Sequence, residues 1–293
     1  MAEAGNREIL WHEILWHEIL WHSRHRFPWF RGKGVMRIAP ILFWILAIPT
    51  VAGFGGRARA ETVDLALVLV VDVSRSIDDQ EFKLQRQGYA AAFTNPEVIA
   101  AIHSGPTGNV AVAYIEFAGA NQVKTVIDWR VLHDTETASR FAAELAEAPR
   151  SFAGFTAISA AVDFAAELLA PDQLTANNLI TERRAMDVSG DGTNNAGRDV
   201  ATARDDAVAA GIVINGLAII NERPAGYAFA HVQPPEGLQE YYRRNVIGGP
   251  GSFVVAVKDF TTFTEAITRK LVSEIASNSP PPGSGAAQKA AAR

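Results

Sequence analysis

Residues 63–72 read VDLALVLVVD, and residues 73–76 continue as VSRS. A strand with one wet face alternates apolar and polar residues, whereas a strand covered on both faces reads as a nearly continuous Val/Leu/Ile run. Residues 63–72 are therefore predicted to be a central strand of a mainly parallel sheet. Asp72, Ser74 and Ser76 follow one another at alternate positions at and just beyond its carboxyl end. A helix is expected next. Asp78 can serve as its N-cap with Glu81 three residues on, Ile77 can staple onto Phe82, and Phe82, Tyr89, Ala92 and Phe93 mark one face.

Working outward, short β-branched runs alternate with stretches of helical period, the pattern of an α/β domain. Strands are predicted at about 109–117, 122–129, 184–189, 212–220 and 252–257. The second of these alternates and reads as an edge strand suited to antiparallel pairing. Helices are predicted at about 135–147, 156–169 and 198–210, with a short one around Leu238–Asn245. A closing helix starts near Thr262, which forms a capping box with Glu265. The expected architecture is a doubly wound, mainly parallel six-stranded sheet with helices on both faces, in one domain over residues 61–278. Residues 279–293 are Pro/Gly/Ala-rich and are expected to be a disordered tail.

The residues before this domain belong to another regime. Residues 1–60 carry 8 Lys+Arg against 4 Asp+Glu, while residues 61–293 carry 19 against 28, a net charge of −9. Residues 8–22 are three copies of EILWH. Five residues advance a helix by roughly 140°, so His12, His17 and His22 share no face and are not expected to bind a metal. Residues 1–35 are expected to be a non-native upstream extension, with Met36 as the start. Arg37, the uncharged run IAPILFWILAIPTVAGF over 38–54 and the small-x-small site Ala58-Arg59-Ala60 form a secretory signal pattern over 36–60, cleaved after Ala60. The apolar run is short for a spanning helix. A periplasmic or secreted location is expected, with no stable membrane span after cleavage.

The chain has no cysteine, which excludes disulfides, thiolate metal sites and cysteine nucleophiles. The acidic balance and the lack of long Lys/Arg runs argue against nucleic acid and anionic membranes as direct partners. In an open α/β sheet, ligands sit at the carboxyl ends of the strands near the switch in strand order. Asp72, Ser74 and Ser76 there offer a carboxylate and two hydroxyls, half of the all-oxygen octahedron that Mg²⁺ prefers. Thr156, in the loop Gly154-Phe155-Thr156, and Asp191, in Ser189-Gly190-Asp191-Gly192, can complete the set.

These five positions, D-x-S-x-S after the first strand, a loop Thr and an Asp after the fourth strand, resemble the metal-ion-dependent adhesion site of the von Willebrand factor type A (VWA) domain. VDVSRSID, MDVSGDGTNN and YYRRNVIGGPGSF further resemble an exported bacterial VWA-like family of unknown function (DUF1194-like). The resemblance covers about 61–278. It implies a VWA/Rossmann-like fold that binds Mg²⁺, with Mn²⁺ or Ca²⁺ as alternatives, through Asp72, Ser74, Ser76, Thr156 and Asp191. It also implies an open coordination position filled by an Asp or Glu of a partner protein, hence metal-dependent adhesion or binding rather than catalysis.

Each residue also has a plainer reading. Ser74 and Ser76 could cap the following helix, Thr156 the later one, and Asp191 could be a turn residue. Asp187 fits a structural hydrogen-bonding role or a place behind the metal, and Arg75 is expected to face solvent. Asp187-to-Gly192 resembles the start of a calcium loop, but Arg198 stands where its bidentate Glu belongs. A metal-dependent hydrolase or phosphotransferase is the rival class. However, the second Asp of a strand-end phosphotransferase is Ser74 here, G-x-S-x-G and the phosphate loop are absent, and His103, His133 and His231 lie far from the cluster in sequence. A vestigial metal site on an interaction domain is the third class. Tyr227, Phe229, Tyr241 and Tyr242 in the 221–250 connection could form a partner surface or pack that connection onto the domain.

Overall fold

The computed structural model describes residues 60–220, 234–258 and 262–276. The expected upstream extension, the signal segment up to Arg59, the whole of the tail, and Tyr227, Phe229 and His231 lie outside them.

The predicted central strand is β2 (Leu65–Asp72), all eight residues buried. Six strands form one sheet in the order β4-β3-β2-β6-β7-β8, with β3 at Val110–Phe117, β4 at Val123–Leu132, β6 at Arg184–Gly190, β7 at Val213–Ile219 and β8 at Val254–Val257. All neighbours pair parallel except β3 and β4, which are antiparallel. The alternating strand is thus the antiparallel edge. It runs on to Leu132, three residues past its predicted end, because its pairing with β3 continues to Val110↔Leu132.

Alternation along β2 feeds two cores. Ala66, Val68 and Val70 pack with α4 (Ile158–Leu168), α6 (Val200–Ala209) and α7 (Leu238–Tyr241). Leu65, Leu67, Leu69 and Val71 pack with α1 (Asp79–Phe93), α2 (Pro96–His103), α3 (Thr135–Glu147) and α8 (Phe263–Ala276) on the other face. A strand covered on both sides in this way explains the unbroken apolar run. Among the described residues, no helix is long and apolar enough to cross a membrane.

The structure adds elements beyond those predicted. Glu61–Thr62 forms a separate β1, paired parallel with β5 (Leu179–Ile180), because the chain breaks at Val63-Asp64 before entering the main sheet. There the Asp64 carboxylate accepts the Thr107 and Gly108 amides. Helix α2 carries its own signal, Asn95 as N-cap and Pro96 at the first helical position. Helix α5 (Pro171–Ala176) likewise opens on a proline. The short helix expected around Leu238–Asn245 is α7 followed by a π-helical turn over Tyr242–Val246.

Candidate metal site

Asp72 ends β2, and Asp191 directly follows β6. These strands are neighbours where the chain, having built β3 and β4 on one side, returns to build β6, β7 and β8 on the other. Connections leaving the two strands at such a point diverge to opposite faces and open a crevice at the carboxyl edge.

All five predicted residues meet there. Thr156 Oγ1 donates to Ser74 Oγ at 3.2 Å, Ser74 Oγ and Ser76 Oγ are 2.9 Å apart, and Ser76 Oγ donates to Asp191 Oδ1 at 2.7 Å. Asp72 joins through the Ser74 backbone amide, which donates to its Oδ1 at 2.7 Å. Asp72, Ser74, Thr156 and Asp191 are buried, and Ser76 is half-buried. Arg75 faces solvent, as expected.

The plainer roles are filled by other groups. Helix α1 is capped by Asp78, whose Oδ1 accepts the Gln80 and Glu81 amides while Glu81 returns a bond to the Asp78 amide. Ser74 and Ser76 are not needed for it. Helix α4 starts at Ile158, two residues later than expected, and has no side-chain cap on its N-cap residue, Ala157. The Thr156 hydroxyl turns toward Ser74 instead.

Several supporting residues are not apparent from sequence reasoning. Asn195 Oδ1 accepts the Thr156 amide at 2.8 Å, and the Asn195 amide donates back to the Thr156 carbonyl at 2.8 Å. Asn194 Oδ1 accepts the Ser159 amide at 3.0 Å, substituting for the missing cap of α4. The Asn pair after Asp191-Gly192-Thr193 therefore ties the Thr156 loop to the Asp191 loop. Arg150 grips the Asp72–Ser76 loop from beneath. Its Nη2 reaches the carbonyls of Val73, Ser74 and Ile77 at 2.7, 2.8 and 2.8 Å, and its Nε donates to Phe152 O at 3.0 Å. Gly154 lies close against Gln122: a Cβ there would stand 2.1 Å from Gln122 Oε1, which accepts the Gly119 amide and would have to move.

In the connection before β8, Tyr241 and Tyr242 pack onto the domain, the second of the two readings of these aromatics. Tyr241 is half-buried, and its hydroxyl accepts the Asn194 amide at 3.0 Å. Tyr242 is fully buried, and among the described residues its hydroxyl has no hydrogen-bond partner. Burial first, then the carboxylates of Asp72 and Asp191, hold its pKa well above the ordinary phenol value, so it keeps its proton. Gly190 makes room: a Cβ on it would lie 2.8 Å from the Tyr242 hydroxyl and 2.9 Å from Asp72 Oδ2.

Asp187, two positions before Ser189 on β6, is not part of the cluster. Its Oδ1 pairs with Lys270 Nζ at 2.7 Å, and Lys270 also meets Glu274 at 2.5 Å, all three buried. Its role is structural, a buried ion triad under the sheet. His103 Nε2 lies 2.7 Å from the His133 carbonyl, so these two histidines engage each other rather than the cluster.

Chemically, the cluster offers two carboxylates and three hydroxyls. Among the described residues, no group of three or more His, Cys, Asp and Glu side chains is placed to hold a metal. An all-oxygen set with only two formal charges suits a hard divalent cation that retains waters, such as Mg²⁺. The buried, unbonded hydroxyl beside the carboxylates fits such a hydrated ion.

The mainly parallel six-stranded sheet with helices on both faces is of the VWA/Rossmann-like α/β kind. Proximal thread matrix protein 1 from the mussel byssus superposes with a TM-score of 0.50 at 12% identity, covering 73% of this chain and 49% of that one. The same mussel protein described with a zinc-occupied MIDAS motif aligns at 0.49 and 15% identity, over 75% of this chain and 50% of that one. A von Willebrand factor type A protein from Catenulispora acidiphila aligns at 0.48 and 13% identity, over 73% and 43%. The chain thus spans about half the length or less of these structures. No curated protein matches the chain. The family described as "Protein of unknown function (DUF1194)" matches residues 62–279.

Proposed function

The chain belongs to the DUF1194 family, and we propose that it is an exported VWA-domain protein that binds a partner protein through a divalent metal at the end of β2 and β6. The observation that carries this is the connected set Thr156–Ser74–Ser76–Asp191, with Asp72 fastened to the Ser74 amide. Three separate loops deliver oxygen donors to one point, while the helix caps that would otherwise explain them are occupied by Asp78 and Asn194.

Ser74, Ser76 and Thr156 would offer hydroxyl oxygens to the ion, and Asp72 and Asp191 would supply the balancing charge, directly or through water. Mg²⁺ is the first choice by this donor set, with Mn²⁺ or Ca²⁺ as alternatives. When bound, the cation supplies a hard positive centre that takes an Asp or Glu carboxylate from the partner. The protein's own residues orient that exchange. Arg150 and the Asn194–Asn195 pair hold the loops, and burial of the carboxylates keeps them from being matched by solvent alone.

Export follows from the signal pattern at 36–60, with a periplasmic or secreted destination. A binding role is preferred to catalysis because no histidine or third carboxylate stands ready as a general base in the described cluster.

The test is calorimetric titration of the purified chain with Mg²⁺ and Mn²⁺, beside the Asp72→Ala/Asp191→Ala double variant. Binding by the wild-type chain and its loss in a folded double variant are expected. Equal binding by both, or none by the wild-type chain at millimolar metal, refutes the metal site.

A further inference from the structure

We infer that Tyr242 is a positioning residue of the metal site, its phenol hydroxyl placed to hold a water that a bound cation would retain. This deepens the proposal of a metal-dependent binding site and rests on it.

The hydroxyl has an unusual position. A buried tyrosine ordinarily finds a partner for its O–H, because an unbonded buried donor is costly. Tyr242 is fully buried and has none among the described residues. Its neighbours in the chain explain how it comes to lie there. Helix α7 passes into a π-helical turn at Tyr242, and such turns place side chains that a regular helix would aim elsewhere. The ring packs beside Gly216 of β7, where a Cβ would stand 2.9 Å from Tyr242 Cδ1. From there the hydroxyl reaches across β7 to the end of β6.

What it reaches is the backbone of Gly190. The hydroxyl and Asp72 Oδ2 lie 2.8 and 2.9 Å from the point where a Cβ on Gly190 would stand, so less than about 5.7 Å separates them. One water standing off the glycine, with two ordinary hydrogen bonds of about 2.8 Å, can join them. A side chain at Gly190 would block this approach, and the charges of both Asp72 and Asp191 bear on the phenol. A proton donor facing two carboxylates at the floor of an all-oxygen site suits a water that an ion retains, since Mg²⁺ keeps several of its own. Outer-sphere partners of this kind are worth tenfold to a hundredfold in metal affinity.

Tyr242→Phe separates this role from packing, because it keeps the ring and deletes only the hydroxyl. Three measurements on the full chain suffice: thermal unfolding without metal, Mn²⁺ and Mg²⁺ affinity by calorimetry, and water relaxation by bound Mn²⁺. The expected result is an unfolding temperature at or above wild type without metal, since an unbonded buried hydroxyl is removed. Affinity is expected to fall about tenfold, and the relaxation of bound water to change. Wild-type affinity in a folded Tyr242→Phe overturns the inference. A Tyr242→Phe chain that unfolds without metal also overturns it, by revealing a hydroxyl with a structural partner. Failure of the wild-type chain to bind metal removes the metal site and this role together. Retained wild-type binding with an unaffected Tyr242→Phe removes this role alone.

Discussion

Arg150 controls the shape of the loop that carries Ser74 and Ser76. Its Nη2 lies within 2.8 Å of three carbonyls of that loop, those of Val73, Ser74 and Ile77, and its Nε binds Phe152 O. One Nη2 has only two hydrogens, so three acceptors amount to two full bonds. With the bond to Phe152, Arg150→Met deletes about three charge-assisted bonds of roughly 1.5–3 kcal/mol each. The loss is partly offset, because a guanidinium that is 18% exposed reaches water and the freed carbonyls do too. A net destabilisation of about 2–4 kcal/mol follows, which for a domain of this size lowers Tm by roughly 5–15 °C. The effect on the metal is separate. Re-ordering even one loop residue at the moment of binding costs about 1–2 kcal/mol, so Mn²⁺ affinity should fall tenfold or more. Arg150→Lys should fall between the two, because an ammonium reaches fewer acceptors than the planar fork. Thermal unfolding with and without Mn²⁺, with calorimetry on each variant, measures both terms. A folded Arg150→Met chain with wild-type Mn²⁺ affinity refutes the clamp, as does a Tm drop below about 2 °C.

Two further predictions concern the buried charges. Burial, reinforced by the Asp187 charge and opposed by Lys270, pushes the Glu274 carboxyl up to about 7 from an ordinary 4.5. A raised folded-state pKa stabilises fully below the unfolded value and is lost as pH rises through the folded one. Stability should therefore fall on the order of 3 kcal/mol between about pH 4.5 and 7 through this group. Urea unfolding at pH 5 and pH 8 should show that Glu274→Gln flattens this slope; an unchanged slope refutes the assignment. The second concerns Arg86, whose guanidinium lies 2.5 Å from Glu116, donates to Leu145 O and stacks 4.8 Å from the Tyr114 ring centre. Glu116 in turn accepts the Ser151 amide at 2.8 Å, next to Arg150. Arg86→Met leaves a fully buried carboxylate uncompensated and should cost about 3–5 kcal/mol, with Arg86→Met/Glu116→Gln recovering part of it. Chemical denaturation of the two variants decides the matter; a loss under 1 kcal/mol in the single variant counts against it.

These supports were unequally legible in the amino-acid sequence. The capping box Asp78–Glu81 was readable because its partners lie three residues apart. The candidate metal-site residues are readable because D-x-S-x-S is local and Asp191 directly follows a recognisable strand. Helix α2 lies beyond the expected helical face, which ends at Phe93, although Asn95-Pro96 announces it. Asn194 and Asn195 sit in a stretch that carried the family resemblance, yet nothing in their spacing says that they reach Thr156 and Ser159. From sequence, Tyr242 reads only as a surface or loop-packing aromatic, because composition reports an aromatic residue but not the direction in which a π-helical turn aims it.

By itself, the sequence determined the layered α/β architecture. The unbroken apolar run of Leu65–Val71 can only be stable between two covering layers, and strand-end polar residues must then gather at the carboxyl edge. Tertiary structure alone decided what stands behind those residues: Arg150 under a loop more than seventy residues earlier, Tyr242 facing Asp72 across Gly190, and Lys270 between Asp187 and Glu274. The physical reason is reach. Periodicity and capping act over one or two turns of chain, whereas these contacts exist only once the sheet has brought distant segments to the same edge.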